Sequence, residues 1–173
     1  MNVLSRLRII KVFVFDIDGV LTDGGLHINA DGQWLRRMDI KDGYALQLAI
    51  KSGYKVLIIS GSESQPVADR LNKLGITNVF MKVNDKTSLL KDYLAKNNYK
   101  PEEVLFMGDD IPDYEAMEFA GFACCPSDAA VEIQQIASYI SPRKGGNGCV
   151  RDVIEKVLKL NNSWPLYTSV AAT

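Results

Sequence analysis

Four short apolar runs punctuate the chain: residues 10–15 (IKVFVF), 55–60 (KVLIIS), 104–107 (VLFM) and 122–125 (FACC). They are β-branched and aromatic with little polar alternation, which predicts strands buried on both faces. Between them the apolar positions take helical spacing. Val67, Leu71 and Leu74 keep i, i+4, i+7, while Leu89, Leu90, Tyr93 and Leu94 form a second stripe. Val150, Val153, Ile154, Val157 and Leu158 form a third. Gly53, Gly75 and Gly121 each fall between a helical pattern and the next apolar run, where a left-handed glycine would close the helix. Strand, helix, glycine and strand in repetition predict an α/β fold, a Rossmann-like three-layer sandwich on a mainly parallel sheet. Ligands of such sheets bind at the carboxyl ends of the strands.

One segment departs from this rhythm. Residues 25–37 carry Asp31-Gly32 between Leu26/Ile28 and Trp34, which predicts a β-hairpin with a tight turn inserted after strand one. It is too short to be a cap domain. Residues 1–160 read as a single domain, and the polar tail 161–173, with Trp164-Pro165 but no periodicity, as frayed or docked. The length of 173 residues fits that reading.

Charge and composition narrow the function. Twenty Lys+Arg against 21 Asp+Glu give a net charge of −1, without the basic excess of a nucleic-acid binder. No apolar stretch reaches the roughly 18 residues of a membrane helix, and the N-terminus has no signal pattern. Cys124, Cys125 and Cys149 suit neither a disulfide framework nor a paired zinc site. They read as small buried hydrophobes of a reducing compartment, hence of a cytoplasmic protein.

Candidate chemistry gathers where the predicted strands end. Strand one runs into Asp16-Ile17-Asp18-Gly19, two carboxylates that require a compensating partner if buried. The second ends at Ser60-Gly61-Ser62, a hydroxyl beside a glycine whose backbone N–H can approach an anion. Lys86 begins a helix, and 104–107 runs into Gly108-Asp109-Asp110-Ile111-Pro112-Asp113. Each signal alone fits a turn, a helix cap or a solvated lysine. Converging on one crevice, they describe a phosphoryl site with Mg²⁺ anchored by Asp16 and Asp109. An aspartate there can attack phosphorus, with Asp18 placed to protonate the leaving oxygen and then activate water. His27 is the only histidine, which discounts a Ser-His-Asp mechanism. Neither GxxxxGK[ST] nor GxGxxG occurs, so ATP and dinucleotides have no support.

These residues resemble, in order, the four motifs of the haloacid dehalogenase superfamily: Asp16-x-Asp18-Gly19, Ser60, Lys86 and Gly108-Asp109-Asp110-x-x-Asp113. The resemblance implies that Asp16 is the nucleophile and Asp18 the general acid/base. It implies Mg²⁺ held by Asp16, Asp109 and the backbone carbonyl at Asp18, with Asp110 and Asp113 behind, and phosphate held by Ser60, Gly61 and Lys86. An acid at Asp18 favours phosphate esters over carbon–halogen substrates. Residues 18–24, Lys41-Asp42-Gly43-Tyr44 and 145–151 (GGNGCVR) extend the resemblance over nearly the whole chain, toward a capless subfamily acting on keto-deoxy sugar acid phosphates. The implied substrate is an eight-carbon sugar-acid 8-phosphate, or alternatively its nine-carbon homologue. Homotetramers are implied, with the hairpin packed into a neighbour and helping to close the active site. The chain departs from its relatives at Ser60-Gly61-Ser62, often Thr-Gly-Arg, and before Lys86, where Gln-Gly is common. A sugar acid also needs a cation for its carboxylate. Arg70 and Lys73, three apart on one helix face, are the candidates, Arg70 first for its bidentate fork. Arg143, Lys144 and Arg151 flank the glycine-rich segment, which reads as a flexible loop or as a flap over a neighbour's site. A receiver-like module that accepts phosphate without turnover is the non-enzymatic alternative.

Overall fold

The computed structural model describes residues 2–167. In chain order it consists of α1 (Val3–Arg8), β1 (Val12–Phe15), β2 (His27–Ile28), β3 (Trp34–Leu35), α2 (Ile40–Lys51), β4 (Lys55–Ile59) and α3 (Gln65–Lys73). There follow β5 (Asn78–Phe80), α4 (Lys86–Asn97), β6 (Val104–Met107), α5 (Tyr114–Phe119), β7 (Phe122–Cys125), α6 (Val131–Ile136), β8 (Tyr139–Ile140) and α7 (Cys149–Leu160). Six strands form one sheet in the order β5-β4-β1-β6-β7-β8, parallel throughout.

Successive strand residues point to opposite faces, and both faces are covered. Phe13, Phe15, Val56, Ile58, Leu105 and Met107 pack against residues of α2, α3 and α7. Val12, Val14, Leu57, Ile59, Val104 and Phe106 pack against α4, α5 and α6. Each such fully buried side chain contributes about 1.5–3 kcal/mol. On α7, Cys149, Val150, Val153, Ile154, Val157 and Leu158 make the buried stripe. Its outer side carries Arg151–Glu155, Lys156–Asp152 and Lys159–Glu155 pairs one turn apart.

The chain moves from β1 outward to β4 and β5, then returns to the other side of β1 with β6. That reversal opens a crevice at the carboxyl ends of β1 and β6, where parallel sheets bind ligands.

Three local expectations are corrected. Gly53 and Gly75 are left-handed, with φ of 89° and 93°, but Gly121 is not among the positive-φ glycines. Its N–H donates to Pro101 O at 2.7 Å, and a Cβ there would lie 2.4 Å from Glu102 Cα. Gly121 is therefore set by backbone approach rather than by helix closure. In the hairpin, Asp31-Gly32 are not the two centres of a two-residue turn. Gly32 N–H donates to Asn29 O, Asn29 N–H donates to Gln33 O, and Gly32 has φ of 76°. This is a three-residue connection with the glycine at its left-handed position. The glycine-rich segment is packed against its own chain: Gly146 N–H donates to Val20 O at 2.9 Å, and a Cβ on Gly145 would lie 1.9 Å from Gly19 O.

The tail docks as far as it is described. Trp164 packs against the core beside α7, edge-on to Tyr44, with the Arg151 guanidinium 5.1 Å from its ring centre. Residues 168–173 lie outside the described residues. The three cysteines are unpaired and buried. Among the described residues, no helix is long and apolar enough to cross a membrane.

Candidate active site

Asp16 directly follows β1, and its N–H donates to Met107 O of the neighbouring β6. The chain then turns sharply through Ile17–Leu21. Gly19 has φ of 84°, and a Cβ on it would sit 1.8 Å from Asp109 Oδ2, so only glycine lets the two loops approach. Buried Thr22 closes the turn, its Oγ accepting from Gly19 N (3.3 Å) and Gly24 N (3.2 Å). Beyond β6, Asp113 folds back beneath Gly108 and accepts from Asp109 N at 3.1 Å.

Lys86 is the first residue of α4, whose N-cap Asp85 accepts from Ser88 N. Its buried ammonium reaches Asp16 Oδ1 at 3.0 Å and Asp113 Oδ1 at 2.6 Å. Oxygens of Asp16, Asp109 and Asp113 all lie within 4.8 Å of one another. Burial and the Asp113 charge push the Asp16 carboxyl up to about 7, against the pull of Lys86. Burial, then Asp16 and Asp113, push Asp109 up to about 8. Burial works against the charge on Lys86, but the two aspartates outweigh it and hold the ammonium above the ordinary lysine value. Three crowded carboxylates facing one lysine carry excess negative charge. An all-oxygen set of this kind fits Mg²⁺, which prefers hard oxygen ligands. Asp113 lies beside them but is buried, with Oδ1 on Lys86 and Oδ2 accepting from Asp109 N, a position behind Asp16 and Asp109.

Asp18 lies at the mouth of the same cleft, a space of about 290 Å³ lined by Asp16, Asp18, Gly19, Gly24, Asp109, Asp110, Pro112 and Asp113. Its carboxylate is gripped by Arg36 from the hairpin, with Nε–Oδ1 at 2.6 Å and Nη2–Oδ2 at 3.3 Å. Asp110 is at the rim, its side chain accepting from Ile111 N. Ser60 directly follows β4, next to β1 in the sheet; its buried hydroxyl lies 2.9 Å from Ser62 Oγ and accepts from Ser62 N. Gly61 follows it, exposed. Arg70 and Lys73 are not brought to the cleft. The Arg70 guanidinium packs against Gly43 of α2 and lines a separate hollow between hairpin and α3, and Lys73 is exposed at the end of α3.

Two residues of consequence were given no role from the sequence. Arg36 is one. The other is Asp42, buried on α2, whose Oδ1 accepts from Arg151 N at 2.8 Å. It caps α7, whose own N-cap, Gly148, has no side chain. Burial pushes the Asp42 carboxyl up to about 6. A larger cleft of about 800 Å³ lies between α2 and α7, lined by Arg37, Lys41, Arg143, Arg151 and others. Its Lys156 and Lys159 are paired to Asp152 and Glu155, and it holds none of the crowded carboxylates. The chemistry therefore belongs to the smaller cleft.

A parallel α/β sheet with an Asp-x-Asp turn after β1, a lysine opening α4 and an aspartate pair after β6 defines a haloacid dehalogenase-like hydrolase. The family model of that description matches residues 78–153. Within that class, the chain belongs to the family of 3-deoxy-D-manno-octulosonate 8-phosphate phosphatases. It is 33% identical to the Yersinia pestis enzyme of that name over 157 residues, 91% of this chain and 84% of the other. A crystal structure of the Yersinia pestis phosphatase matches with a TM-score of 0.91 at 32% identity, covering 97% of this chain and 91% of that one. The Moraxella catarrhalis phosphatase, solved in complex with magnesium ion, phosphate ion and KDO, matches with a TM-score of 0.89 at 33% identity, covering 92% of each chain.

Proposed function

We propose that this chain hydrolyses 3-deoxy-D-manno-octulosonate 8-phosphate to the sugar acid and phosphate, with Mg²⁺ as cofactor and Asp16 as nucleophile. The observation that carries the reading is Asp16 at the end of β1, 3.0 Å from Lys86 and crowded by Asp109 and Asp113. Asp16 and Asp109 would hold Mg²⁺, together with the backbone carbonyl at Asp18, with Asp113 behind them orienting Lys86 and the Asp109 backbone. When bound, the ion supplies positive charge that keeps these carboxylates ionised and offsets the phosphoryl oxygens.

An Asp16 carboxylate oxygen attacks phosphorus as the bond from phosphorus to the sugar oxygen breaks. Asp18, as the acid, gives its proton to that departing oxygen. Asp18, now a carboxylate, takes a proton from water as the water oxygen displaces Asp16 from phosphorus and releases phosphate. Lys86, the Ser60 hydroxyl and the Gly61 N–H hold the phosphate oxygens through both steps. The apolar residues Leu26, Ile28, Trp34 and Leu35 of the hairpin are exposed, and Ile40 is 80% exposed. That strip supports burial in a homotetramer, and three buried unpaired thiols suit a cytoplasmic setting.

The test is phosphate release from the eight-carbon substrate and its nine-carbon homologue, with Mg²⁺ and after chelation. Mg²⁺-dependent release favouring the eight-carbon acid is expected, and Asp16→Asn should abolish it with the fold intact. Turnover retained in that variant removes the nucleophile. Preference for the nine-carbon acid moves the substrate, and a phosphorylated protein that never turns over supports the receiver-like alternative. A monomeric mass in solution removes the tetramer.

A further inference from the structure

Arg36 belongs to no motif, yet it makes the closest contact to Asp18. Its Nε and Nη2 engage both carboxylate oxygens, a two-point fork rather than a single ion contact. Around it the hairpin is solvent-exposed: Gln33, Trp34, Leu35 and Arg37 all lie open. The Arg36 side chain is only 4% exposed, against 37% for Asp18. A guanidinium withdrawn this far from water needs a close partner to offset its desolvation, and Asp18 is that partner. The hairpin is also fastened to the same turn a second time. Met38 bridges Thr22, and Thr22 closes the turn that carries Asp18.

We propose that Arg36 is the positioning residue of the acid/base step. Its fork holds Asp18 as a carboxylate, the form that takes the proton from water, and fixes its plane and direction, so the inserted hairpin serves catalysis as well as assembly. The inference rests on the roles of Asp16 and Asp18 proposed above. The physical reason is geometric. Asp18 stands at the cleft mouth, partly in solvent, where a free aspartate samples several rotamers. Proton transfer needs it within hydrogen-bond reach of the attacking water. A planar fork on both oxygens selects one rotamer and one carboxyl plane, which a lysine, with a point-like ammonium, does not do.

The experiment compares Arg36→Ala, Arg36→Lys, Asp18→Asn and the Arg36→Ala/Asp18→Asn double variant of the full chain with Mg²⁺. Steady-state kinetics use the sugar-acid phosphate, whose alkoxide must be protonated to leave. Rapid-mixing kinetics use p-nitrophenyl phosphate, whose phenolate leaves without a proton. Arg36→Ala should lower kcat on the sugar phosphate by roughly 10–100-fold, the scale of a misplaced catalytic group, with KM little changed. Attack by Asp16 draws on neither residue when the leaving group is good. Arg36→Ala should therefore release about one equivalent of p-nitrophenolate in a burst before slow turnover. Arg36→Lys keeps a buried charge and separates loss of the fork from collapse of the hairpin; it should recover only part of the rate. The double variant should be no slower than Asp18→Asn alone, because Arg36 acts through Asp18. An Arg36→Ala kcat within twofold of wild type overturns the inference, as does a double variant slowed by the product of the two single effects. Full turnover in Asp18→Asn would instead remove the acid/base assignment itself, and this inference with it.

Discussion

Binding of Mg²⁺ should strengthen steeply between pH 6 and pH 8. Without the ion, Asp16 is held at about 7 and Asp109 at about 8 by burial and mutual repulsion. Both lie above the ordinary carboxylate value, so below them the native protein holds protons that the unfolded chain has lost. The ion-free fold therefore loses stability as pH rises through this window. A cation that binds the ionised carboxylates acts in the opposite sense, because it must displace those protons. With these values, both groups are ionised in on the order of one molecule in a thousand at pH 6 and in roughly half at pH 8. Apparent affinity should rise by about two to three orders of magnitude, or about 3–4 kcal/mol, over the two pH units. Calorimetric titration of chelator-stripped protein in buffers of different ionisation enthalpy measures both the affinity and the protons released, nearly two per ion at pH 6. Thermal unfolding checks the same linkage: the rise in Tm on adding Mg²⁺ should be larger at pH 8 than at pH 6. An affinity constant within threefold between the two pH values, or binding without proton release, would refute the reasoning.

Other changes probe single contacts. Gly19→Ala forces a Cβ to 1.8 Å from Asp109 Oδ2 at a φ of 84°. It should cost about 2 kcal/mol in denaturant unfolding and weaken Mg²⁺ binding at least about tenfold; unchanged Mg²⁺ titrations would contradict the close approach of the two loops. Lys86→Met leaves the buried Asp16 and Asp113 without their cation. Ion-free protein should lose about 3 kcal/mol at pH 8. The deficit should shrink toward pH 6 as Asp16, held at about 7, takes up its proton, and a pH-independent deficit in urea melts would sink this account. Gly53→Ala meets only the left-handed backbone cost, about 1 kcal/mol, because nothing lies within 4 Å of its Cβ. Gly121→Ala meets Glu102 Cα at 2.4 Å and should cost at least about twice as much; equal costs would return Gly121 to a helix-closing role.

The parallel core was legible because burial on both faces leaves a simple trace. β1, β4, β6 and β7 lie inside the sheet with nearly every residue buried, so their apolar runs are almost unbroken. β5 and β8, at the two edges, are three and two residues long, too short to show a period. Asp31-Gly32 located the hairpin, but a turn dipeptide does not say which residues pair around it. Gly121 looked like its neighbours Gly53 and Gly75 because position relative to a helix end is local. The backbone of Pro101 and Glu102 that dictates it arrives from elsewhere in the chain.

The same distinction runs through the site. Asp16 and Asp109 sit immediately beyond β1 and β6, and those strands are neighbours. For such residues, knowing where a strand ends is nearly knowing where the side chain goes. Arg70 and Lys73 failed to reach the cleft because i, i+3 spacing says that two side chains share a side of a helix, not which side. Val67 and Leu71 turn α3 toward the core, Arg70 packs on Gly43, and Lys73 is left in water. Arg36 reaches Asp18 only because the hairpin folds back over its own root, and Asp42 reaches α7 only because two helices meet. Acids at strand ends thus leave a mark in the sequence, whereas the groups that neutralise or orient them are set by tertiary contact. That is also why a near-neutral chain conceals its need for a divalent cation. A net charge of −1 averages over the surface, while Asp16, Asp109 and Asp113 crowd against Lys86 in one cleft, and this local imbalance is the electrostatic basis for metal binding.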